Sequence, residues 1–208
     1  VMTGNPVRKA LFEVDITQEE AKKALGFAPD KPLVLLTGGS LGARTLNQTV
    51  INAISQGRAG LESFQVLWQC GASDHDRCRK AVEGILPDNI RLTEFVSDMA
   101  VAYRAADLVV ARAGAGTISE LEDLGKPAIL VPSPNVAEDH QRHNAEALVH
   151  RGAAGMVLDI DATKQLWNDI STVVSNTETL RLLSENISAM ALRDSDSKIV
   201  EAIEKVLG

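Results

Sequence analysis

The sequence is poor in several features, and each shortage closes a possibility. Its only two cysteines, Cys70 and Cys78, lie eight positions apart in segments of different character. That spacing suits neither a disulfide framework nor the paired Cys-x-x-Cys of a zinc or redox site, so they read as plain thiols of a reducing compartment. Basic residues are outnumbered: 21 Lys+Arg against 28 Asp+Glu give a formal charge of −7. An unspecific electrostatic grip on nucleic acid or an anionic membrane is therefore not expected, and a small or neutral partner is favoured. No stretch approaches the ~20 apolar residues of a membrane span. The first residues carry neither a basic start nor an apolar signal core, so the chain reads as soluble and cytoplasmic. Internal repeats, low-complexity tracts and long linkers are also missing.

What is present is enough chain for a core. With 208 residues, 45% of them hydrophobic, the length corresponds to one domain or one and a half at roughly 150 residues each. The chain begins at Val1 rather than at Met, and Val-Met-Thr-Gly-Asn-Pro reads as the tail of a strand running into a turn, so the chain is expected to be part of a longer protein. A short helix follows, started by Thr17-Gln-Glu-Glu20 as a capping box and ended by Gly26. Thereafter short apolar runs alternate with amphipathic stretches: Leu33 to Thr37, Phe64 to Gln69, Ile90 to Leu92, Leu108 to Val110, Ala128 to Val131 and Gly155 to Leu158. Near-continuous apolarity over so few residues is the mark of strands covered on both faces. Between them, Leu46, Val50 and Ile54, then Met99, Tyr103 and Ala106, then Leu166, Ile170 and Val173 keep helical spacing.

The order β-α, repeated about six times, predicts an α/β fold: a doubly wound, Rossmann-like parallel sheet of about six strands, with ligands bound beyond the C-terminal strand ends. Residues 1–31 form an opening loop and short helix, 32–176 the α/β core, and 177–208 extra C-terminal helices. Those last helices carry two stripes, Leu180, Leu183, Ile187, Met190 and then Ile199, Ile203, Val206. They need a covering surface, either on this sheet or on a missing half of the protein.

Function should sit in the βα loops. Thr37-Gly-Gly-Ser-Leu-Gly-Ala-Arg44 is a glycine-rich turn between a buried strand and a helix start. Gly38, Gly39 and Gly42 permit close backbone approach, the helix start offers N–H groups, and Ser40 adds a hydroxyl. A tight turn without a ligand is the plainer alternative, but three glycines and a serine in six positions exceed what turning needs. The turn matches neither G-x-G-x-x-G nor a Walker A loop, which argues against NAD and ATP. A second such loop, Arg112-Ala-Gly-Ala-Gly-Thr-Ile-Ser-Glu120, opens another helix, so two helix N-termini face one crevice. Gly114 and Gly116 expose amides, Thr117 and Ser119 supply hydroxyls, and the Glu120 carboxylate suits a vicinal diol such as ribose. On its own, Glu120 reads sooner as a complement to the helix dipole than as a ribose ligand.

The third loop, Pro132-Ser-Pro-Asn-Val-Ala-Glu-Asp-His-Gln-Arg-His-Asn144, supplies His140, Gln141 and Asn144 for sugar hydroxyls. His140 and His143, with Glu138 and Asp139 nearby, have no third anchored ligand elsewhere, so no metal is expected. His75 and His150 read as solvated helix residues. In Thr93-Glu-Phe-Val-Ser-Asp-Met99, Phe95 and Met99 offer an apolar wall, and Val96 a backbone N–H and C=O for a base edge. With aromatics at 3% of the chain a Phe in such a loop stands out, although core packing explains it about as well.

In order and spacing, Thr3-Gly-Asn-Pro-Val-Arg8, Gly38-Gly-Ser-Leu-Gly-Ala-Arg44, Thr93-Glu-Phe-Val, Arg112 to Glu120, and Asp139-His-Gln141 through Asn144 resemble the C-terminal, donor-binding half of the MurG family of GT-B glycosyltransferases. The resemblance runs nearly end to end. It implies transfer of N-acetylglucosamine from UDP-N-acetylglucosamine to lipid I, at the cytoplasmic face of the inner membrane, as a step of peptidoglycan synthesis. It also implies that Arg8 and Ser40 contact the diphosphate, that Val96 bonds the uracil through its backbone, and that Glu120 holds the ribose. The backbone of Ala115, Gly116 and Thr117, running on through Ile118 and Ser119, and the Gln141 side chain would meet the sugar, with Gly39, Phe95, Met99, His140 and Asn144 close by. The family inverts the anomeric centre without a metal or other cofactor. The N-terminal acceptor domain, with the general base and the membrane-facing patch, would be absent here, so no catalytic residue is expected in this chain, which should bind donor without turnover. Two alternatives stay open: another GT-B UDP-sugar transferase domain, and a non-catalytic nucleotide-sugar-binding module.

Overall fold

The computed structural model describes residues 4–59, 63–135, 139–193 and 195–207. Val1, Met2 and Thr3 of the expected strand tail, Val136, Ala137 and Glu138 of the third loop, and the side chain of Val206 lie outside the described residues.

After a single 3-10 turn at Lys9–Leu11 comes α1 (Gln18–Ala24). Its capping box forms as expected: the Thr17 side chain accepts from the Glu20 N–H, and the Glu20 carboxylate accepts from the Thr17 N–H at 2.8 Å. Gly26, at φ +74°, turns the chain away. Lys22 fastens α1 to the sheet. Its ammonium is buried and lies 2.8 Å from the Asp107 carboxylate and 2.9 Å from the Lys31 carbonyl. Asp107 in turn accepts from the Leu33 N–H and the Gln18 amide, so neither buried charge lacks a partner.

Six parallel strands follow: β1 (Leu33–Thr37), β2 (Gln65–Gln69), β3 (Ile90–Thr93), β4 (Leu108–Ala111), β5 (Ala128–Leu130) and β6 (Gly155–Met156), in the order β3-β2-β1-β4-β5-β6. The helices are α2 (Arg44–Ser55), α3 (His75–Ala81), α4 (Met99–Ala105), α5 (Ala115–Leu124), α6 (His140–Val149), α7 (Asp159–Val174), α8 (Thr177–Ser188) and α9 (Ser195–Leu207). Alternation along β1 shows why the runs are apolar throughout. Val34 and Leu36 join a cluster with Leu46 and Val50 of α2 and Leu166 and Ile170 of α7. Leu33 and Leu35 join a second with Ala21 of α1, Tyr103 of α4 and Leu121 of α5. Both faces of the sheet are covered, which is the doubly wound arrangement.

Strand ends differ from expectation by one or two residues. Phe64 and Val131 are buried but lie just outside the ladder. β6 is the shortest strand because it pairs only with Ile129 and Leu130; the Val157 N–H still reaches the Leu130 carbonyl before the chain turns into α7. Of the two terminal helices, α8 packs on α5 and α7, burying Ile187, and Ser184 donates to the Gly125 carbonyl at 2.7 Å. Its stripe thus finds cover within this chain. In α9, Val200 and Ile203 remain more than half exposed.

Strand order locates the ligand crevice. β1 and β4 are neighbours, yet the chain leaves β1 toward β2 and β4 toward β5, so their following loops part and leave a gap beyond their C-terminal ends.

Candidate functional site

That gap is a cleft of about 500 Å³, within the usual range for a small-molecule site. Several segments line it. The opening segment contributes Arg8, the loop after β1 contributes Gly39 and Ser40, and the loop after β3 contributes Phe95 and Met99. Thr117 and Glu120 come from the start of α5, and Gln141 from α6. The other residues picked from the sequence, Val96, Ala115, Gly116, Ser119, His140 and Asn144, belong to the same segments as lining residues but are not themselves part of the lining. The Ile118 side chain belongs to the core, so only its backbone can serve a ligand.

The glycine turn is built by close backbone approach. Gly42, at φ +86°, passes so near β2's end that a Cβ there would lie 2.0 Å from the Cys70 carbonyl oxygen. Gly39, at φ +80°, faces open space instead. Two of the turn's amides are used internally: the Gly39 N–H donates to the Thr37 hydroxyl, and the Gly42 N–H to the Gly39 carbonyl. The donors left uncommitted are therefore those at the start of α2 and the exposed Ser40 hydroxyl, rather than every glycine amide of the turn. Neither α2 nor α5 has a side-chain cap, which keeps their first-turn amides uncovered by their own residues.

Behind the turn lies a buried polar network. Asn47 donates to the Cys70 carbonyl at 2.9 Å and to Asp74 at 2.8 Å, while the Trp68 indole N–H donates to the Asn47 amide oxygen at 2.9 Å. Arg77 grips both Asp74 oxygens, and this holds the carboxyl down to about 2. Buried thiols sit beside it: burial pushes Cys70 up, and burial with the Asp74 charge pushes Cys78 to about 12, so neither is a reactive thiolate near neutral pH.

Several side chains that decide the geometry escaped the sequence reading. Gln69, at the end of β2, donates to the Gly39 carbonyl at 3.0 Å and accepts from the Val96 N–H at 3.1 Å, coupling the glycine turn to the Phe95 loop. The N–H that the sequence reading assigned to a base is thus held by Gln69, and the Val96 carbonyl is the group left for that role. Arg112 donates to the Val131 and Pro132 carbonyls and to Asp159 at 2.5 Å; Asp159 also accepts from Thr45 at 2.9 Å. One guanidinium so binds together the loops after β4 and β5 and the starts of α7 and, through Thr45, α2. Asn144 donates to the Ala113 carbonyl, and the Gln141 amide oxygen accepts from the Ser133 N–H, leaving its NH₂ end toward the cleft. Asp139, before α6, is the only non-glycine residue with positive φ among the described residues, at +52°.

Glu120 carries a pair of partners. Arg8 donates to one carboxylate oxygen at 3.2 Å, and the Tyr103 hydroxyl to the other at 2.9 Å. The sequence reading gave Arg8 and Glu120 separate duties; the structure sets them against each other. Burial first, and then the Glu120 charge, push the Tyr103 hydroxyl far up, so it stays a proton donor. Tyr103 is the chain's single tyrosine, and that rarity was the one signal in the sequence; its place in a helical stripe read simply as core. Among the described residues no group of three or more His, Cys, Asp or Glu is arranged to hold a metal ion, and no helix is long and apolar enough to cross a membrane.

A Bacteroides fragilis protein named UDP-N-acetylglucosamine–N-acetylmuramyl-(pentapeptide) pyrophosphoryl-undecaprenol N-acetylglucosamine transferase is 47% identical over 99% of this chain and 54% of its own length. An Acetivibrio thermocellus protein of the same name is 38% identical over 100% of this chain and 56% of its own. The chain spans about half the length of the curated relatives it matches. The crystal structure of Acinetobacter baumannii MurG superposes with a TM-score of 0.75 at 30% identity, covering 96% of this chain and 55% of that one. The family described as glycosyltransferase family 28 C-terminal domain matches residues 33–203, from β1 into α9, and the chain belongs to that family.

Proposed function

We propose that this chain is the donor-binding half of an inverting, metal-independent glycosyltransferase that moves N-acetylglucosamine from UDP-N-acetylglucosamine to lipid I, forming lipid II for peptidoglycan. One observation carries the reading. The opening segment, the loops after β1 and β3, and the helices α5 and α6 bring Arg8, Ser40, Phe95, Glu120 and Gln141 to a single cleft at the sheet's switch point. It does so in a chain 38–47% identical to transferases named for this reaction.

In this reading the uracil lies against Phe95 and Met99, with its N3–H donated to the Val96 carbonyl. The ribose hydroxyls donate to Glu120. The diphosphate sits at the start of α2, held by Ser40 and by Arg8, and the sugar meets the Gln141 NH₂, the backbone of Ala115 to Thr117, and Asn144 and His140 at the rim. As the acceptor oxygen attacks the anomeric carbon from the face opposite UDP, the bond to the β-phosphate oxygen breaks and its electron pair passes to the diphosphate. The α2 N-terminus and Arg8 are placed to stabilise that charge as it develops. The acceptor site, the general base and the contact with the cytoplasmic face of the inner membrane belong in this proposal to a second domain, so this chain binds donor without turning it over.

Calorimetric titration with UDP-N-acetylglucosamine, UDP-glucose and ADP-ribose, with and without chelator, tests the proposal. Binding of the uridine sugars, with the N-acetyl sugar preferred and chelator without effect, is expected. Equal binding of ADP-ribose would point to a general nucleotide module, and binding lost to chelator would remove the metal-independent reading. No binding of any of the three would leave the cleft residues as scaffold.

A further inference from the structure

Glu120 has two partners of opposite character. Arg8 stands on the opening segment with its side chain 67% exposed, whereas Tyr103 is 2% exposed within the core cluster under α4. A donor bound as proposed would draw Arg8 to the diphosphate. The Tyr103 ring is anchored in the core cluster that also holds Leu35 and Leu121, and its single proton is directed at the Glu120 oxygen 2.9 Å away.

We infer that Tyr103 is a positioning residue for the ribose: its hydroxyl holds the Glu120 carboxylate in one rotamer, aimed into the cleft, so that both vicinal hydroxyls meet oxygens already in place. The inference rests on the proposed ribose role of Glu120. A carboxylate has lone pairs enough to accept from Tyr103 and from two ribose hydroxyls together, so the phenol orients it without occupying it. Orientation matters because a glutamate free to rotate loses side-chain entropy when the diol binds, and a bond formed in advance removes that cost from the binding step. The phenol's strong preference for the protonated form keeps the donor in place across the physiological range. Tyr103 reaches the cleft wall beside Glu120, and in this arrangement its hydroxyl serves the carboxylate rather than the nucleotide.

The test compares UDP with 2′,3′-dideoxy-UDP on the 208-residue chain and its Tyr103→Phe and Glu120→Gln variants. Tyr103→Phe keeps the buried ring, and circular dichroism with thermal unfolding checks that the fold is retained. Wild type should prefer UDP over the dideoxy analogue. Tyr103→Phe should weaken UDP by about five- to tenfold, the scale of one lost charge-assisted hydrogen bond acting indirectly, and leave the dideoxy analogue unchanged. Adding Tyr103→Phe to Glu120→Gln should cost far less than in wild type, since the carboxylate it orients is gone. Equal weakening of both nucleotides by Tyr103→Phe would mean a merely structural role and overturn the inference; so would no weakening of either. If wild type binds both nucleotides alike, the ribose reading of Glu120 fails and the role of Tyr103 falls with it. If Glu120→Gln loses the preference for UDP while Tyr103→Phe keeps it, only the inference fails.

Discussion

Gly42→Ala should damage both stability and donor binding, and the structure says by how much. Gly42 sits at φ +86°, where a side chain costs about 1–2 kcal/mol in backbone conformation. The added Cβ would lie 2.0 Å from the Cys70 carbonyl oxygen and 3.2 Å from the Gly71 Cα. Both are backbone atoms, so no rotamer change relieves the overlap and the glycine turn must move away from β2 by more than an ångström. Overpacking of that kind costs a further ~1–3 kcal/mol, for a total of about 2–5 kcal/mol. Gly39→Ala is the control. It has the same sign of φ, at +80°, but no heavy atom within 4 Å, so only the conformational cost of about 1–2 kcal/mol applies. Urea denaturation followed by the fluorescence of Trp68 and Trp167, both buried, measures each loss. UDP titration should show affinity falling in Gly42→Ala as the α2 N-terminus shifts. A Gly42→Ala variant no less stable than Gly39→Ala would refute the argument that Gly42 is required by its approach to β2.

Three further outcomes are expected. Glu120→Ala should weaken UDP by ~1–3 kcal/mol, the value of a hydrogen bond to a charged group, read by calorimetry; an unchanged affinity would take Glu120 out of the ribose site. Asn47→Ala strips partners from the Trp68 indole, the Cys70 carbonyl and Asp74 at once, and should destabilise by about 2–4 kcal/mol in the same urea assay, with a loss under 1 kcal/mol counting against the network. Glu122 is pushed up to about 7, by burial first and the neighbouring Asp123 charge second. The folded chain therefore holds this proton longer than the unfolded chain, so stability should decline as pH rises from about 4.5 to 7. Glu122→Gln should flatten that decline in urea midpoints measured across the range, and an identical decline in the variant would show that another group causes it.

Much of this protein was legible in its residues because the signals were local. The β-branched and Leu-rich runs gave six strands in the right places, since a strand buried on both faces needs apolar residues throughout, and only residues at the run ends shifted, by one or two positions. Thr17 and Glu20 specified a helix start by a bond three residues long. The glycines announced two loops of one cleft, although backbone approach excludes a Cβ only in the first, at Gly38 and Gly42, while Gly114 and Gly116 face open space.

What only the tertiary structure decided are the contacts between residues far apart in the chain. Nothing near Gln69 in sequence says that its amide spans Gly39 and Val96, nor does anything near Arg112 predict that it gathers the loops after β4 and β5 and the start of α7. Arg8 and Glu120 are separated by 111 intervening residues, and their pairing depends on how the opening segment crosses the sheet's end. Tyr103 followed the apolar stripe of α4, as its ring required, while the destination of its hydroxyl was set by where α5 places Glu120. A side chain's burial can be read from its periodicity; the partner of its polar atom is fixed only when separate elements have packed together.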